Sequence, residues 1–187
     1  MADDRIRQAF EVMRRAQFLP KDERAQDAVD APLPIGYGQT NSQPSTVADM
    51  LEWLDVRLGL RVLDVGSGSG WTTALLAYLV GAEGHVAAVE IVPELVEFGQ
   101  RNCERAGCHN VEFHHVRDVL GWPEGRPYDR ILVSASAAEL PDELLRQLRS
   151  PGKIVVPVGD TIAEIAKTKQ GDVKLVEHPG YVFVPLL

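Results

Sequence analysis

The densest cluster of residues able to do chemistry lies in residues 62–71, VLDVGSGSGW. Asp64 is followed by glycines at alternate positions, Gly66, Gly68 and Gly70, with Ser67 between the first two. Residues 62–65 read as a buried strand and residues 71–80 as a helix. A strand, a glycine turn and a helix start make a ligand loop of the nucleotide-binding kind. The glycines let the backbone turn sharply and let a ligand approach where a Cβ would clash. The helix N-terminus presents free N–H groups. The pattern D-x-G-x-G-x-G is one residue shorter than the G-x-G-x-x-G of dinucleotide sites.

Further candidates follow in register. Glu90 closes an apolar run, residues 85–90, about 20 residues after the glycines, where an acidic side chain can take both hydroxyls of a ribose. The lesser alternative is a carboxylate that serves the start of the next helix, opened by Pro93. Asp118 lies just past a third strand, residues 111–116, at the carboxyl edge of the sheet, either as a contact for an adenine amino group or as a solvated loop residue. Upstream, Gln39, Thr40, Asn41, Ser42 and Gln43 are five polar residues in a row. They stand between Pro34 and Pro44 as a site loop or a capping loop, with Ser42 or Gln43 near the cap of a helix over residues 44–56. His114 and His115 are adjacent, so they point to opposite faces of a strand and read as structural or surface residues. No metal site is expected. Cys103 and Cys108, five apart near a helix end, read as two reduced thiols poorly placed to pair.

These residues need elements to hold them. Residues 3–16 carry Ile6, Phe10, Val12 and Met13 at helical spacing, stopped by Pro20, and residues 21–29 read as a second short helix. The helix over residues 93–106 turns Leu95, Val96, Phe98 and Cys103 inward and ends at Gly107. Residues 128–134 form a fourth strand and run into small residues, Ser134 to Ala137. Pro141 opens a helix ending near Arg149, Pro151-Gly152 turns the chain, and residues 153–158 form a fifth strand. Three further β-like runs, 161–167, 173–177 and 181–186, include no helix and suit antiparallel strands at a sheet edge, with Gly171-Asp172 as a hairpin turn.

The chain has 187 residues, 45% of them hydrophobic, and a net charge of −8. That size fits one α/β domain, residues 1–187: N-terminal helices and a covering loop to 56, a ligand-binding core over 57–160, antiparallel strands over 161–187. The acidic balance argues against a nucleic-acid binder. The longest apolar run, residues 71–82, is too short to span a bilayer, and the charged, amphipathic start reads as no signal peptide. With two cysteines besides, a cytoplasmic monomer is expected.

The order of strand, glycine loop, helix, acidic strand end and terminal antiparallel hairpin resembles the class I S-adenosylmethionine-dependent methyltransferases. Their sheet is doubly wound, Rossmann-like, mostly parallel and seven-stranded. In that family the glycine loop wraps the amino-acid end of the cofactor. The base-methylating members carry an Asn/Asp-Pro-Pro-aromatic motif after the fourth strand, and none occurs here. PLPIGYGQTNSQPSTVADML sharpens the resemblance to protein-L-isoaspartate O-methyltransferases, whose signature reads PIG-G-QTIS-P. RAQFLP at 15–20, LDVGSGSGWTTALLA, LPDELLRQLRSPGKIVVPVG at 140–159 and YVFVPL at 181–186 are similar to further segments of that family.

The resemblance implies methyl transfer from S-adenosyl-L-methionine to the α-carboxylate of L-isoaspartyl residues in damaged proteins. S-adenosyl-L-homocysteine is the product, and the methyl ester then collapses to a succinimide. It implies Ser42 as the acceptor-orienting residue with Thr40 in support. It implies Gln39, Thr40, Asn41, Ser42, Ser45, Asp64, Gly66, Ser67, Gly68, Gly70, Glu90, Ile91 and Asp118 around the cofactor. Four departures stand out: Asn41 for the family's usual Ile, Ser45 for an aromatic or His, Arg117-Asp118-Val119 for Gly-Asp-Gly, and Ser134 to Ala137 for a Thr-Ala-Ala-Ala-like run. They bear on acceptor breadth and adenine contacts more than on reaction class. A same-fold enzyme with another peptide or small-acid acceptor, and a non-catalytic cofactor-binding protein, are the alternatives.

Overall fold

The strands β3 (Arg61–Val65) and β4 (His85–Glu90) form because their apolar runs are buried on both faces, as parallel strands inside a covered sheet must be. With β5 (Val111–His115), β6 (Tyr128–Val133) and β7 (Leu148–Val158) they make the parallel part of a seven-stranded sheet. β8 (Thr161–Lys167) and β9 (Val173–Pro179) add antiparallel. The order is β5-β4-β3-β6-β7-β8-β9 in this computed structural model, which describes residues 2–186. The chain builds outward from β3 to β5, then returns to pair β6 on the other flank of β3. The order reverses there, and a crevice opens beyond the strand ends at such a switch point.

Helices α1 (Ala2–Val12), α2 (Pro44–Leu54), α3 (Trp71–Val80), α4 (Pro93–Arg105) and α5 (Asp142–Gln147) flank the sheet. In α3 every residue but Tyr78 is buried. A helix apolar on all sides needs cover on all sides, and it lies between the sheet, α1 and α4. Leu75, Leu76 and Leu79 sit in one core cluster with Val62, Val86 and Met50. The opposite face of the sheet packs Leu63, Ile131, Ile154 and Ile165 on Leu144 and Tyr128.

The structure departs from the sequence reading at several boundaries. The polar run 39–43 is no free loop: β2 (Gln39–Asn41) pairs antiparallel with β1 (Leu33–Gly36) around a turn in which Gly36, Tyr37 and Gly38 all have positive φ. The first helix ends at Val12, and Arg15–Phe18 and Lys21–Gln26 are 3-10 turns. Helix α2 stops at Leu54, where Asp55 takes a left-handed φ of 51°. Its N-cap residue is Gln43, whose side chain makes no cap bond. Pro151-Gly152 does not turn the chain. It lies inside β7, whose pairing with β6 jumps from Tyr128↔Leu148 to Arg130↔Lys153 across a bulge. Residues 181–186 cross the sheet end instead of joining it, held by Ser136 N–H to the Val184 carbonyl and Leu186 N–H to the Ser136 carbonyl, both at 2.8 Å.

Candidate active site

At the carboxyl ends of β3, β4 and β6 lies a cavity of about 300 Å³. The glycine loop forms its floor. Gly66 and Ser67 N–H groups both donate to the Val89 carbonyl, at 3.0 and 3.1 Å, so the chain folds sharply off β3. Gly68 N–H donates to Glu90 Oε2 at 2.9 Å. Gly68 has a φ of 51°, and a Cβ there would meet the Ile35 side chain at 3.1 Å. Below the loop, fully buried Asp64 accepts from Thr73 Oγ1 at 2.6 Å and Thr72 Oγ1 at 3.1 Å. Burial lifts its carboxyl to about 6, against the pull of those two hydroxyl bonds. Helix α4 grips the loop from behind, with Asn102 Nδ2 donating to the Ser69 carbonyl at 2.8 Å.

The opposite wall is β2, and a buried arginine sets its position. Arg15 is 4% exposed. Its Nε donates to Asn41 Oδ1 at 2.7 Å. Its terminal nitrogens donate to the carbonyls of Val29, Ala31, Asn41 and Ser42 at 2.7–3.0 Å. Its guanidinium carbon lies 5.5 Å from the centre of the Trp71 ring. Asn41 Nδ2 then donates to Ser69 Oγ at 3.0 Å, tying the hairpin to the glycine loop. Burial lowers the Arg15 pKa, partly countered by Asp30 and Asp27.

The cavity wall takes in Gln39, Thr40, Asn41 and Ser42 from the hairpin edge. It takes in Gly66, Ser67 and Gly68 from the loop, and Glu90, Ile91 and Asp118 from the strand ends. Three expected cofactor contacts lie off it. Asp64 is beneath the loop as a structural acceptor. Gly70 faces α4, where a Cβ would meet the Gly99 carbonyl at 2.8 Å, so its glycine serves helix packing. Ser45 points outward on the first turn of α2, its N–H donating to Asp30 Oδ1 at 2.9 Å and its hydroxyl accepting from Gln43 Nε2 at 2.8 Å. Glu90 does serve the helix start, its Oε1 accepting from the N–H groups of Ile91 and Val92 ahead of α4, while Oε2 holds Gly68.

Sequence reasoning missed Arg15 as an organiser, because its partners lie up to 27 residues away and leave no local spacing signal. It also missed Val184, Pro185 and Leu186 as wall residues. Reading 181–186 as a sheet strand concealed that. His114 stacks on Trp122 at 3.9 Å, and His115 Nε2 lies 3.1 Å from the Ile91 carbonyl.

The arrangement fits an adenosine-type methyl donor. Among the described residues Ser67 Oγ is buried with no hydrogen-bond partner. It sits in a glycine cradle that a Cβ at residue 68 would crowd. A carboxylate, Glu90, stands at the end of the second strand of the parallel unit, where a ribose can reach it. Fold and cavity together define a class I methyltransferase architecture.

The comparisons with known proteins agree. The family model for protein-L-isoaspartate(D-aspartate) O-methyltransferase matches residues 1–187. A protein-L-isoaspartate O-methyltransferase of Methanothrix thermoacetophila is 44% identical over 98% of this chain and 88% of its own length. One from Pyrococcus horikoshii is 42% identical over 98% and 85%. A solved protein-L-isoaspartate O-methyltransferase superposes with a TM-score of 0.89 at 30% identity, over 98% of this chain, which spans 61% of that longer chain. A Plasmodium falciparum structure, titled a putative member in complex with S-adenosyl-L-homocysteine, gives 0.86 at 27% identity over 98% and 90%. The chain belongs to the protein-L-isoaspartate(D-aspartate) O-methyltransferase family.

Two outcomes follow from this geometry. Arg15→Lys keeps the charge but loses the planar fork that reaches several carbonyls at once. It is expected to lower unfolding free energy by about 2–4 kcal/mol, read from urea midpoints, and an unchanged midpoint would remove the fork from its organising role. Asp64 titrates at about 6 when folded and at about 4 when unfolded. Its stabilising contribution is thus fully present below about pH 4 and lost as pH rises through about 6. The thermal midpoint of Asp64→Asn, relative to the parent, is expected to climb across that window and then level. Parallel curves would contradict the raised value.

Proposed function

We infer that this chain transfers a methyl group from S-adenosyl-L-methionine to the carboxylate of L-isoaspartyl residues in peptides and proteins, a step in repair of damaged chains. The observation that carries the reading is the meeting, in one cavity, of the glycine cradle with the Gln39–Asn41 strand edge and Ser42. Bound there, the donor supplies an electrophilic sulfonium methyl.

The residues divide the work. With their N–H groups committed within the loop, Gly66 and Gly68 meet the amino-acid end of the donor with their carbonyls, and Ser67 with its free hydroxyl. Glu90 takes a ribose hydroxyl at the Oε2 position left over from its three backbone bonds, beside Ile91. Asp118 contacts the adenine edge. Ser42 orients the acceptor carboxylate by donating a hydrogen bond, with Thr40 and Gln39 supporting at the cavity mouth. Asn41, its amide bound to Arg15 and Ser69, keeps that edge at a fixed distance from the cradle. An acceptor carboxylate with a pKa of roughly 4 is already ionised at pH 7, so no side chain need remove a proton. What remains is alignment and exclusion of water. The apolar side chains of Ile35, Val184 and Leu186 supply such cover on the cavity wall.

The chain acts as one unit over residues 1–187, as a cytoplasmic monomer without nucleic-acid or membrane partners. The net charge of −8 supports the absence of a nucleic-acid partner. Among the described residues no helix is long and apolar enough to cross a membrane.

Two synthetic peptides differing only in L-isoaspartate or L-aspartate at one position test the activity. Labelled donor is expected to leave base-labile methyl groups on the isoaspartyl peptide alone. Equal labelling of both peptides, or of neither, would overturn the assignment. Ser42→Ala is expected to cut kcat by about tenfold, the scale of one hydrogen bond of roughly 1.4 kcal/mol. Its affinity for S-adenosyl-L-homocysteine should stay within about twofold. Wild-type turnover would take Ser42 out of the site.

A further inference from the structure

The two cysteines, five apart in sequence, are not separated in space. Helix α4 ends in a chain reversal at Gly107, φ 78°. Cys108 N–H donates to the Cys103 carbonyl at 2.9 Å and Gly107 N–H to the Glu104 carbonyl at 3.1 Å. That nested pair of bonds is the Schellman cap, which brings the side chains flanking the reversal against each other. Here both are thiols. They line one cavity of about 210 Å³ with Gln100, Glu104 and Glu112. Cys103 is buried and Cys108 half-buried. Among the described residues no third His, Cys, Asp or Glu completes a metal-holding set with them.

Cys103 also touches the glycine loop. Its Sγ–H faces the Gly70 carbonyl at 3.3 Å. A Cβ at Gly70 would lie 3.1 Å from the same sulfur. We propose that Cys103 and Cys108 are a modification site, a dithiol that a hydroperoxide converts to an intramolecular disulfide, and that this bond weakens methyl-donor binding by pulling Cys103 away from Gly70. The weakening rests on the donor reading of the glycine loop given above; the pairing of the thiols does not.

The Cys108 thiolate attacks one peroxide oxygen, giving a sulfenic acid and hydroxide. The Cys103 sulfur then attacks the Cys108 sulfur, the S–S bond forms, and the sulfenic oxygen leaves as water with the Cys103 proton. In sum two thiols and hydrogen peroxide give one disulfide and two waters. Cys108 is placed to react first. It is the more exposed of the two, and the neighbouring Cys103 thiol holds its pKa below the ordinary value. Cys108 in turn, then burial, push the Cys103 thiol up, so its one proton stays on sulfur, facing the Gly70 carbonyl, until it leaves with the departing oxygen. A disulfide sulfur has no proton to donate, so oxidation removes the bond to the loop.

The test uses the full chain, reduced and then titrated with hydrogen peroxide. The intact mass is expected to fall by two hydrogens, with fragments mapping a Cys103–Cys108 link. Calorimetry should show S-adenosyl-L-homocysteine binding about threefold to tenfold more weakly, the scale of one lost hydrogen bond, and dithiothreitol should restore it. Cys108→Ser should bind like the reduced parent and be insensitive to peroxide. A Cys108 sulfinic acid beside an unreacted Cys103, or a disulfide between two chains, would overturn the pairing. A mapped internal disulfide with unchanged affinity would overturn the coupling to the loop. If the reduced chain does not bind S-adenosyl-L-homocysteine, the donor reading falls, while the mass measurement still decides the pairing.

Discussion

The Arg15 guanidinium is the constraint on which the cavity depends. Taking a cation out of water costs several kcal/mol unless its donors find acceptors. Here they find four backbone carbonyls and the Asn41 side-chain oxygen. No short peptide segment offers so many acceptors to one planar fork. Burial of Arg15 therefore requires residues 29–31 and 41–42 to converge on the turn after α1. That convergence places β2 above the glycine loop. Trp71 closes the same corner: its Nε1 donates to the Met13 carbonyl at 2.9 Å and Phe10 packs edge-on at 5.3 Å. The hairpin wall of the cavity is thus hung from the N-terminal segment, and the glycine-loop wall from the sheet.

The glycine-loop wall is held differently. Its loop is pinned by Asp64 through the threonines of α3, by Glu90 in front, by Asn102 behind and by Asn41 above. Such preorganisation suits a reaction whose barrier is met by alignment rather than proton transfer. It also suits the charge of the ligand: a sulfonium cation placed over this loop has the carboxylates of Glu90 and Asp64 nearby. The glycines at 66, 68 and 70 are not equivalent. Gly68 opens space toward the cavity, whereas Gly70 lets α3 and α4 approach.

How far the sequence was legible follows from the range of the forces involved. The unit of β3, loop and α3 was readable because strand burial, glycine conformation and an all-round apolar helix are local features that agree. Glu90 was readable because its distance from the glycines is set by one helix and one strand. The β1–β2 hairpin was not, since Pro34 and two flanking glycines look like loop signals, and the pairing depends on Arg15 binding from outside. The β7 bulge was missed because Pro151-Gly152 has turn composition, while β6 and β8 on either side keep it within the sheet. Residues 181–186 alternate like a strand, but their backbone bonds go to Ser136. Cys103 and Cys108 are free thiols, as their spacing suggested, but that they lie side by side follows only from the Gly107 reversal, which brings i and i+5 together.

These differences sort the departures from the family pattern. Arg117, Val119, Ser134 and Ala135 all lie on the cavity wall, in segments past the strand ends whose positions do not fix the glycine loop. Changes there can reshape what the cavity admits while the donor cradle stays in register. Asn41 is the exception. Where an Ile would leave Arg15 Nε and Ser69 Oγ without this partner, the amide accepts from one and donates to the other. A buried guanidinium cannot be left a bond short cheaply, so residue 41 and the surroundings of Arg15 must change together. Asn41 is therefore half of the Arg15 clamp, and its polarity serves the scaffold that sets the distance between the hairpin and the glycine loop.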